Sequence, residues 1–282
     1  MKPVYLITLL TFLCSAAFAQ LKTPAASPTV TMVQDMGISK VTLTYSRPGM
    51  KGREIFGDLV PFGKVWRTGA NASTTLEFSE PIKFGGTEVP AGKYAIYTVP
   101  NKDSWKIMIS KALGWGAGNY DESANVASFD VKPVKTDLTY ETFTIDFSDF
   151  TTAGAHLNIY WENTKVSFPM EMDTDKAVMA QLDRMMENPE ASLAGTYYQA
   201  AQYYFDTERD TDQALVWVNK ALDYNPNPYW VIRLKSRLLA RKKDYKAAIE
   251  TAKLSLEKAT AAGNMDYVKL NNDAIAKWEK ML

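Results

Sequence analysis

Apolar and polar residues alternate with a period of two through much of the first half of the chain. Val41, Leu43 and Tyr45 alternate with Thr42 and Thr44; Leu76 and Phe78 alternate with Thr75, Glu77 and Ser79; Trp105, Ile107 and Ile109 alternate with Lys106, Met108 and Ser110. Successive side chains of an extended chain point to opposite faces, so this pattern predicts strands packed on one side and wet on the other. Further strands are predicted over 29–34, 93–99, 127–134, 139–147, 155–161 and 164–168, with turn residues at Gly85-Gly86, Ala91-Gly92, Pro100-Asn101 and Ala153-Gly154. Around nine short strands with regular punctuation point to an antiparallel sandwich or barrel.

The period changes near Asp173. Ala, Leu, Tyr, Lys and Glu then recur at helical spacing, broken at Pro189, Pro226, Pro228 and Gly263. Six helices fit, near 174–187, 190–206, 211–224, 228–241, 244–260 and 264–281, with Asp173-Thr174 as a start signal and Ser167-Phe168-Pro169 closing the last strand. The expected organisation is an antiparallel β domain over 20–170 followed by a helical domain over 171–282.

Inside the helical half, Asp210, Ala214, Leu215, Val218, Ala221 and Leu222 recur 34 residues later as Asp244, Ala248, Ile249, Ala252, Ser255 and Leu256. That period, with small residues where paired helices cross and Pro226 closing the first unit, resembles the tetratricopeptide repeat over 195–260, with 264–281 as a capping helix. Thr260 stands where a second proline belongs, and the Trp and Leu-Gly of the first repeat helix are missing. A solenoid needs about three repeats, so the array is expected to lean on the 174–187 helix or on the β domain.

Ahead of both domains, Lys2, the apolar run Val4 to Leu13 and the small residues up to Ala17-Phe18-Ala19 read as a secretory signal peptide over 1–19. The lone cysteine, Cys14, lies inside it behind Thr11-Phe12-Leu13, a context unlike a lipidation site. The mature chain is then expected to lack disulfides, zinc-thiolate sites and thiol nucleophiles. Outside the leader no apolar run reaches the roughly 18 residues of a membrane helix, so a soluble exported protein of the periplasm or the extracellular space is expected. The 32 basic residues balance 32 acidic ones, which argues against nucleic acid as a partner.

The segment from Ser46 to Asn71 fits neither periodicity. It carries five of the chain's fifteen glycines, five Arg or Lys against two acids, and Phe56, Phe62 and Trp66. This is the composition of a shaped loop, because glycine admits unusual backbone angles while Arg and Trp grip partners. Ser46-Arg47-Pro48, Lys51-Gly52-Arg53, Gly57-Asp58-Leu59-Val60-Pro61-Phe62-Gly63, Val65-Trp66-Arg67-Thr68-Gly69-Ala70-Asn71, Pro90-Ala91-Gly92-Lys93-Tyr94 and Trp115-Gly116 together resemble the domain-of-unknown-function family 2911 over about 28–170. The resemblance implies an exported protein of Bacteroidetes-type bacteria with a compact β domain, and it brings no catalytic residues.

Read as a ligand site, the loop offers Arg47, Arg53 and Arg67 as a grip on an anion or carboxylate, with Trp66 and Asn71 lining it. Read as structure, the same arginines pair with Glu54, Asp58 and strand carboxylates, and Trp66 closes the core. Gly114-Trp115-Gly116-Ala117-Gly118 has no following Lys-Ser/Thr and no βαβ context, so it is no phosphate loop. It reads either as a mobile cover presenting Trp115 and Tyr120 as stacking surfaces, or as a long connection whose tryptophan plugs the sandwich. His156, the chain's one histidine, faces the same way as Asn158 and Tyr160, and is either a weak general-base candidate or a structural histidine. A two-imidazole metal site is impossible, and no metal or cofactor is expected.

Carboxylates cluster at Asp121-Glu122, Asp146 with Asp149, and Asp173 with Asp175, at separations a sequence does not reveal. Asp206 to Asp212 lacks the glycine and the final glutamate of a calcium loop and reads as a solvated turn. Tyr197, Tyr198, Tyr203, Tyr204, Trp217 and Trp230 offer either a peptide groove or helical core. The leading expectation is non-catalytic binding: a small polar or anionic ligand on the β domain and a protein partner on the helices. A carboxylate-dependent hydrolase acting on glycans or esters, and a purely structural envelope component, are the alternatives.

Overall fold

The computed structural model describes residues 23–115, 118, 120–187 and 194–282. The leader expected over 1–19, with Cys14, lies outside the described residues, as do Gly116, Ala117 and the first residues of the helix expected over 190–206. The chain forms two compact units, one ending at Thr174 and the other beginning at Asp175.

The first unit is a pair of antiparallel sheets. Strands β1 (Thr29–Met36), β2 (Ser39–Ser46), β3 (Thr74–Phe78), β6 (Gly92–Val99), β7 (Trp105–Ser110) and β8 (Asn125–Val131) make a six-stranded sheet in the order β1-β2-β3-β6-β7-β8. The second sheet has the order β5-β4-β10-β9, built from β4 (Ile82–Phe84), β5 (Thr87–Val89), β9 (Val134–Thr151) and β10 (Gly154–Glu171). No closed barrel forms among the described residues; the architecture is a sandwich.

The alternating apolar residues fill the space between the sheets. Val41, Leu43, Leu76, Ile96, Ile107 and Ile109 from the first sheet are fully buried against Phe84, Phe143, Leu157, Val166 and Met170 from the second. Tyr45 spans the layers: its hydroxyl donates to the Ile145 carbonyl at 3.1 Å and accepts from the Ile145 amide at 3.0 Å, satisfying a polar group inside the core.

Two departures from simple alternation shape the second sheet. The hairpin β4–β5 is too short for a period to show, and is made by Gly85 and Gly86, both at positive φ as a tight two-residue hairpin requires. Strand β10 folds back on itself. Ser167 Oγ donates to Asn158 Oδ1 at 2.7 Å, although nine extended residues would span about 30 Å. A side chain on Gly154 would strike the Met170 carbonyl, and Glu162, at φ 55°, marks the reversal. The continuous strand therefore behaves as the two segments that the alternation predicts, over 155–161 and 164–168.

The second unit is a helical array: α1 (Thr174–Glu187), α2 (Ala194–Asp206), α3 (Thr211–Tyr224), α4 (Tyr229–Arg241), α5 (Tyr245–Ala261) and α6 (Met265–Glu279). From α2 onward each helix packs on the next. The small residues of the 34-residue period are where the helices meet: Ala214, Val218 and Ala221 on α3, and Ala248, Ala252 and Ser255 on α5, are all buried. The paired acids Asp210 and Asp244 cap α3 and α5, accepting backbone N–H groups of the first turn. Asp206 to Asp212 is the turn joining α2 to α3. No helix among the described residues is long and apolar enough to cross a membrane.

Candidate functional site

The loop between β2 and β3 is laced down at successive points. Its start is zipped to β9: the Phe143 amide donates to Pro48 O at 2.9 Å, the Met50 amide to Glu141 O at 2.8 Å, and the Lys51 amide to Glu141 Oε1 at 2.9 Å. Next, Val60 N to Ile55 O at 2.8 Å and Gly57 N to Val60 O at 3.0 Å close a knuckle. Then the Gly63 amide donates to Pro100 O at 2.9 Å, tying the loop to the β6–β7 turn, and Trp66 pairs through its backbone with Thr98.

The last stretch is strained and heavily bonded. Thr68 has φ 56° and Asn71 φ 59°, and a β-branched residue rarely takes the left-handed region. Surrounding bonds hold Thr68 there: its buried hydroxyl donates to Thr98 Oγ1 at 3.2 Å, and its carbonyl accepts from Thr74 Oγ1. Trp66 Nε1 donates to Gly69 O at 3.1 Å, and Asn71 Nδ2 to Ser46 Oγ at 3.3 Å. Strain that the surroundings enforce fixes where the chain leaves the turn, and here it brings Ala72 into backbone pairing with Trp115.

The residues expected to line one site are distributed by this lacing. Arg47 donates from Nε to Phe143 O at 3.3 Å and from Nη2 to Thr144 Oγ1 at 2.9 Å, which fastens the loop to β9. Arg53 donates to the carbonyls of Met50 at 2.8 Å and Gly49 at 2.7 Å. Neither forms an ion pair with Glu54 or Asp58. Arg67 is half-buried, and its Nε finds no hydrogen-bond partner. Trp66, 8% exposed, stacks on Trp161 at 5.8 Å and meets Phe56, Trp105 and Phe143 edge-on. Trp115, 74% exposed, pairs through its backbone with Ala72, the residue after Asn71. Tyr120 instead covers Tyr97 on the outer face of the first sheet, its hydroxyl accepting from Asn125 Nδ2 at 2.7 Å.

What the loop does build is a cavity of about 300 Å³ at one end of the sandwich. Phe56, Phe62 and Trp105 give it an aromatic wall, and three turns supply its polar rim: Asn101 and Lys102 from β6–β7, Lys135 at the start of β9, and Asn163 at the β10 reversal. Neither lysine pairs with a described carboxylate, and Glu162 is the one acid in the lining. Asn163 is held by its Nδ2 bond to Thr139 Oγ1 at 2.9 Å. Sequence patterns gave these rim residues no role. Pro100-Asn101 carried only a turn signal, and nothing local tells that three separate turns converge.

A second cavity, of about 360 Å³, gathers His156 with Asp149, Glu171, Asp173 and Lys83. His156 Nδ1 stands 3.7 Å from Asp149 Oδ2, beyond hydrogen-bond length, and is itself buried without a hydrogen-bond partner. Beside it, Asn158 is fully buried and donates to Asp146 Oδ1 at 2.9 Å and Ser148 Oγ at 2.8 Å. Burial and the Asp146 charge push the Tyr160 phenol above its ordinary range. Among the described residues no group of three or more His, Cys, Asp or Glu is placed to hold a metal ion.

Fold and site thus define a class: a two-sheet sandwich with a laced surface loop and an end cavity, joined to a helical array. Residues 27–170, just over half of the 282, match the family described as a protein of unknown function, DUF2911, and the chain belongs to that family. No curated protein and no solved structure matches the chain.

Proposed function

We propose that the protein is an exported binding protein. Its sandwich takes a small polar or anionic ligand in the end cavity, and its helices dock a protein partner. The observation that carries the first half is the pairing of an aromatic wall with two lysines that form no ion pair with a described acid, beside the single lining acid Glu162. An aromatic surface beside unpaired ammonium groups suits a ring or sugar that bears a carboxylate, sulfate or phosphate. The arginines of the loop support this indirectly, since Arg47 and Arg53 hold the loop in the shape that presents Phe56 and Phe62. Export rests on the leader-like sequence of residues 1–19.

A thermal-shift screen of the mature protein against sugars, sugar acids and small carboxylates tests the reading, because a ligand that binds the folded state raises the melting temperature. A hit whose shift disappears in Lys102→Ala and Lys135→Ala, with the unliganded melting temperature unchanged, supports it. A hit indifferent to both substitutions sinks it.

One observation favours a second reading. The imidazole and carboxylates around the second cavity are the equipment of a carboxylate-dependent hydrolase. Hydrolysis of model esters or glycans that His156→Ala abolishes would establish it.

A further inference from the structure

Helix α4 places Arg233, Arg237 and Arg241 four residues apart, and therefore on one stripe. Like charges at this spacing repel, and all three side chains are partly buried. None forms an ion pair with a carboxylate among the described residues. Asp206 lies near Arg237, but both its oxygens accept from Gln202 Nε2, at 2.8 and 2.9 Å.

The stripe is held in place by other means. The Arg237 and Arg241 guanidinium carbons lie 4.1 and 3.9 Å from the centre of the Phe205 ring, and Arg241 Nη2 donates to Phe205 O at 2.7 Å. That stacking fixes the planes of two guanidinium groups while leaving their remaining N–H groups directed elsewhere. Arg233 Nε and Arg241 Nη1 are buried and have no hydrogen-bond partner. Loss of hydration lowers the pKa of both Arg233 and Arg237, and the neighbouring guanidinium adds to this, while the Asp206 charge opposes it at Arg237. Beside it is a cavity of about 330 Å³, to which α6 adds Lys277 and Trp278 and α5 adds Tyr245. Three cations, Arg237, Arg241 and Lys277, thus border a space with aromatic walls.

We propose that this stripe receives an extended acidic segment of a protein partner, with carboxylates at alternate positions. The spacing agrees: four helical residues rise about 6 Å, close to the roughly 6.6 Å between alternate side chains of an extended strand. Each guanidinium presents the planar fork that matches one carboxylate, through those of its N–H groups that are not buried. The proposal deepens the protein-docking half of the function given above and rests on it.

The test is fluorescence anisotropy of the full mature chain with three labelled ten-residue peptides, of alternating Asp-Ser, Asn-Ser and Lys-Ser, and with a ten-residue oligothymidylate. The Asp-Ser peptide is expected to bind, more weakly as salt rises, and the other three not to. Arg233→Gln and Arg237→Gln are each expected to weaken it about tenfold, the loss of one charge-assisted hydrogen-bonded pair, and Arg237→Lys by less. If a variant fails to fold, the salt series on the unaltered protein decides: acidic-peptide binding that ignores salt overturns the proposal. Preference for the oligonucleotide overturns it too. Binding of the Asn-Ser or Lys-Ser peptide in place of Asp-Ser removes the acidic partner and leaves protein docking standing, whereas binding of none of the four removes both.

Discussion

Arginines serve opposite ends in the two units. In the β2–β3 loop, Arg47 and Arg53 donate to backbone carbonyls of their own surroundings. On α4, Arg233 and Arg237 donate to no described acceptor. The difference follows from the backbone. The carbonyls of Gly49 and Met50 lie outside the strands, so the Arg53 guanidinium satisfies them and is itself satisfied, and Arg47 reaches the edge of β9, whereas Arg67 in the same loop keeps an unpartnered Nε. Carbonyls inside a helix are already taken by amides four residues on, so a helical arginine finds an available carbonyl only near a helix end, as Arg241 does at Phe205, and otherwise looks to another side chain or to a partner molecule. Arginine-rich composition therefore marks a fastening in one setting and an open grip in the other.

The largest effect that sharpens this comparison comes from the core beneath the loop. Trp66→Ala removes the ring stacked on Trp161 and is expected to cost the β unit about 3–5 kcal/mol, read by denaturant unfolding. Asn158→Ala strips three hydrogen bonds from a buried network and is expected to cost roughly 1–3 kcal/mol in the same assay. Arg47→Gln comes next, at about 1 kcal/mol of β-unit stability. Arg233→Gln, by contrast, is expected to leave the unfolding midpoint unchanged or raised, because it removes a partly buried charge that lacks a partner. If Arg47→Gln is silent and Arg233→Gln destabilises, the contrast between the units is broken.

A smaller effect depends on pH. Burial, together with the hydrogen bond it donates to Asp175 at 2.6 Å, pushes the Tyr203 phenol up to about 12 from its ordinary 10.0. A raised pKa means that the folded state favours the neutral phenol. Its contribution is whole below pH 10.0 and is lost as pH rises through about 12. Far-ultraviolet circular dichroism of Tyr203→Phe should show less alkaline unfolding of the helical unit than the parent over that window. An identical alkaline transition would show that other groups govern it.

Much of the fold was legible in the sequence because burial imposes its period directly. Leu157, Ile159 and Trp161 alternate and are buried, as are Ala214 and Ala248, which stand 34 residues apart in the helical half. The strands β4 and β5 were missed because three residues are too few to show a period. The end cavity was illegible for a different reason: Lys102, Lys135 and Asn163 meet only through the packing of three turns distant in sequence. On α4 a usable signal was present. Arg233, Arg237 and Arg241 recur every fourth residue with no acid four positions from any of them, a pattern that leaves each without its usual helical partner.

The contrast between the two sets of arginines is tested most directly by acidic-peptide affinity, measured side by side for the parent, Arg47→Gln and Arg237→Gln. Arg47→Gln is expected to bind the Asp-Ser peptide as the parent does, and Arg237→Gln about tenfold more weakly. Equal weakening by both substitutions, or by neither, would contradict the account.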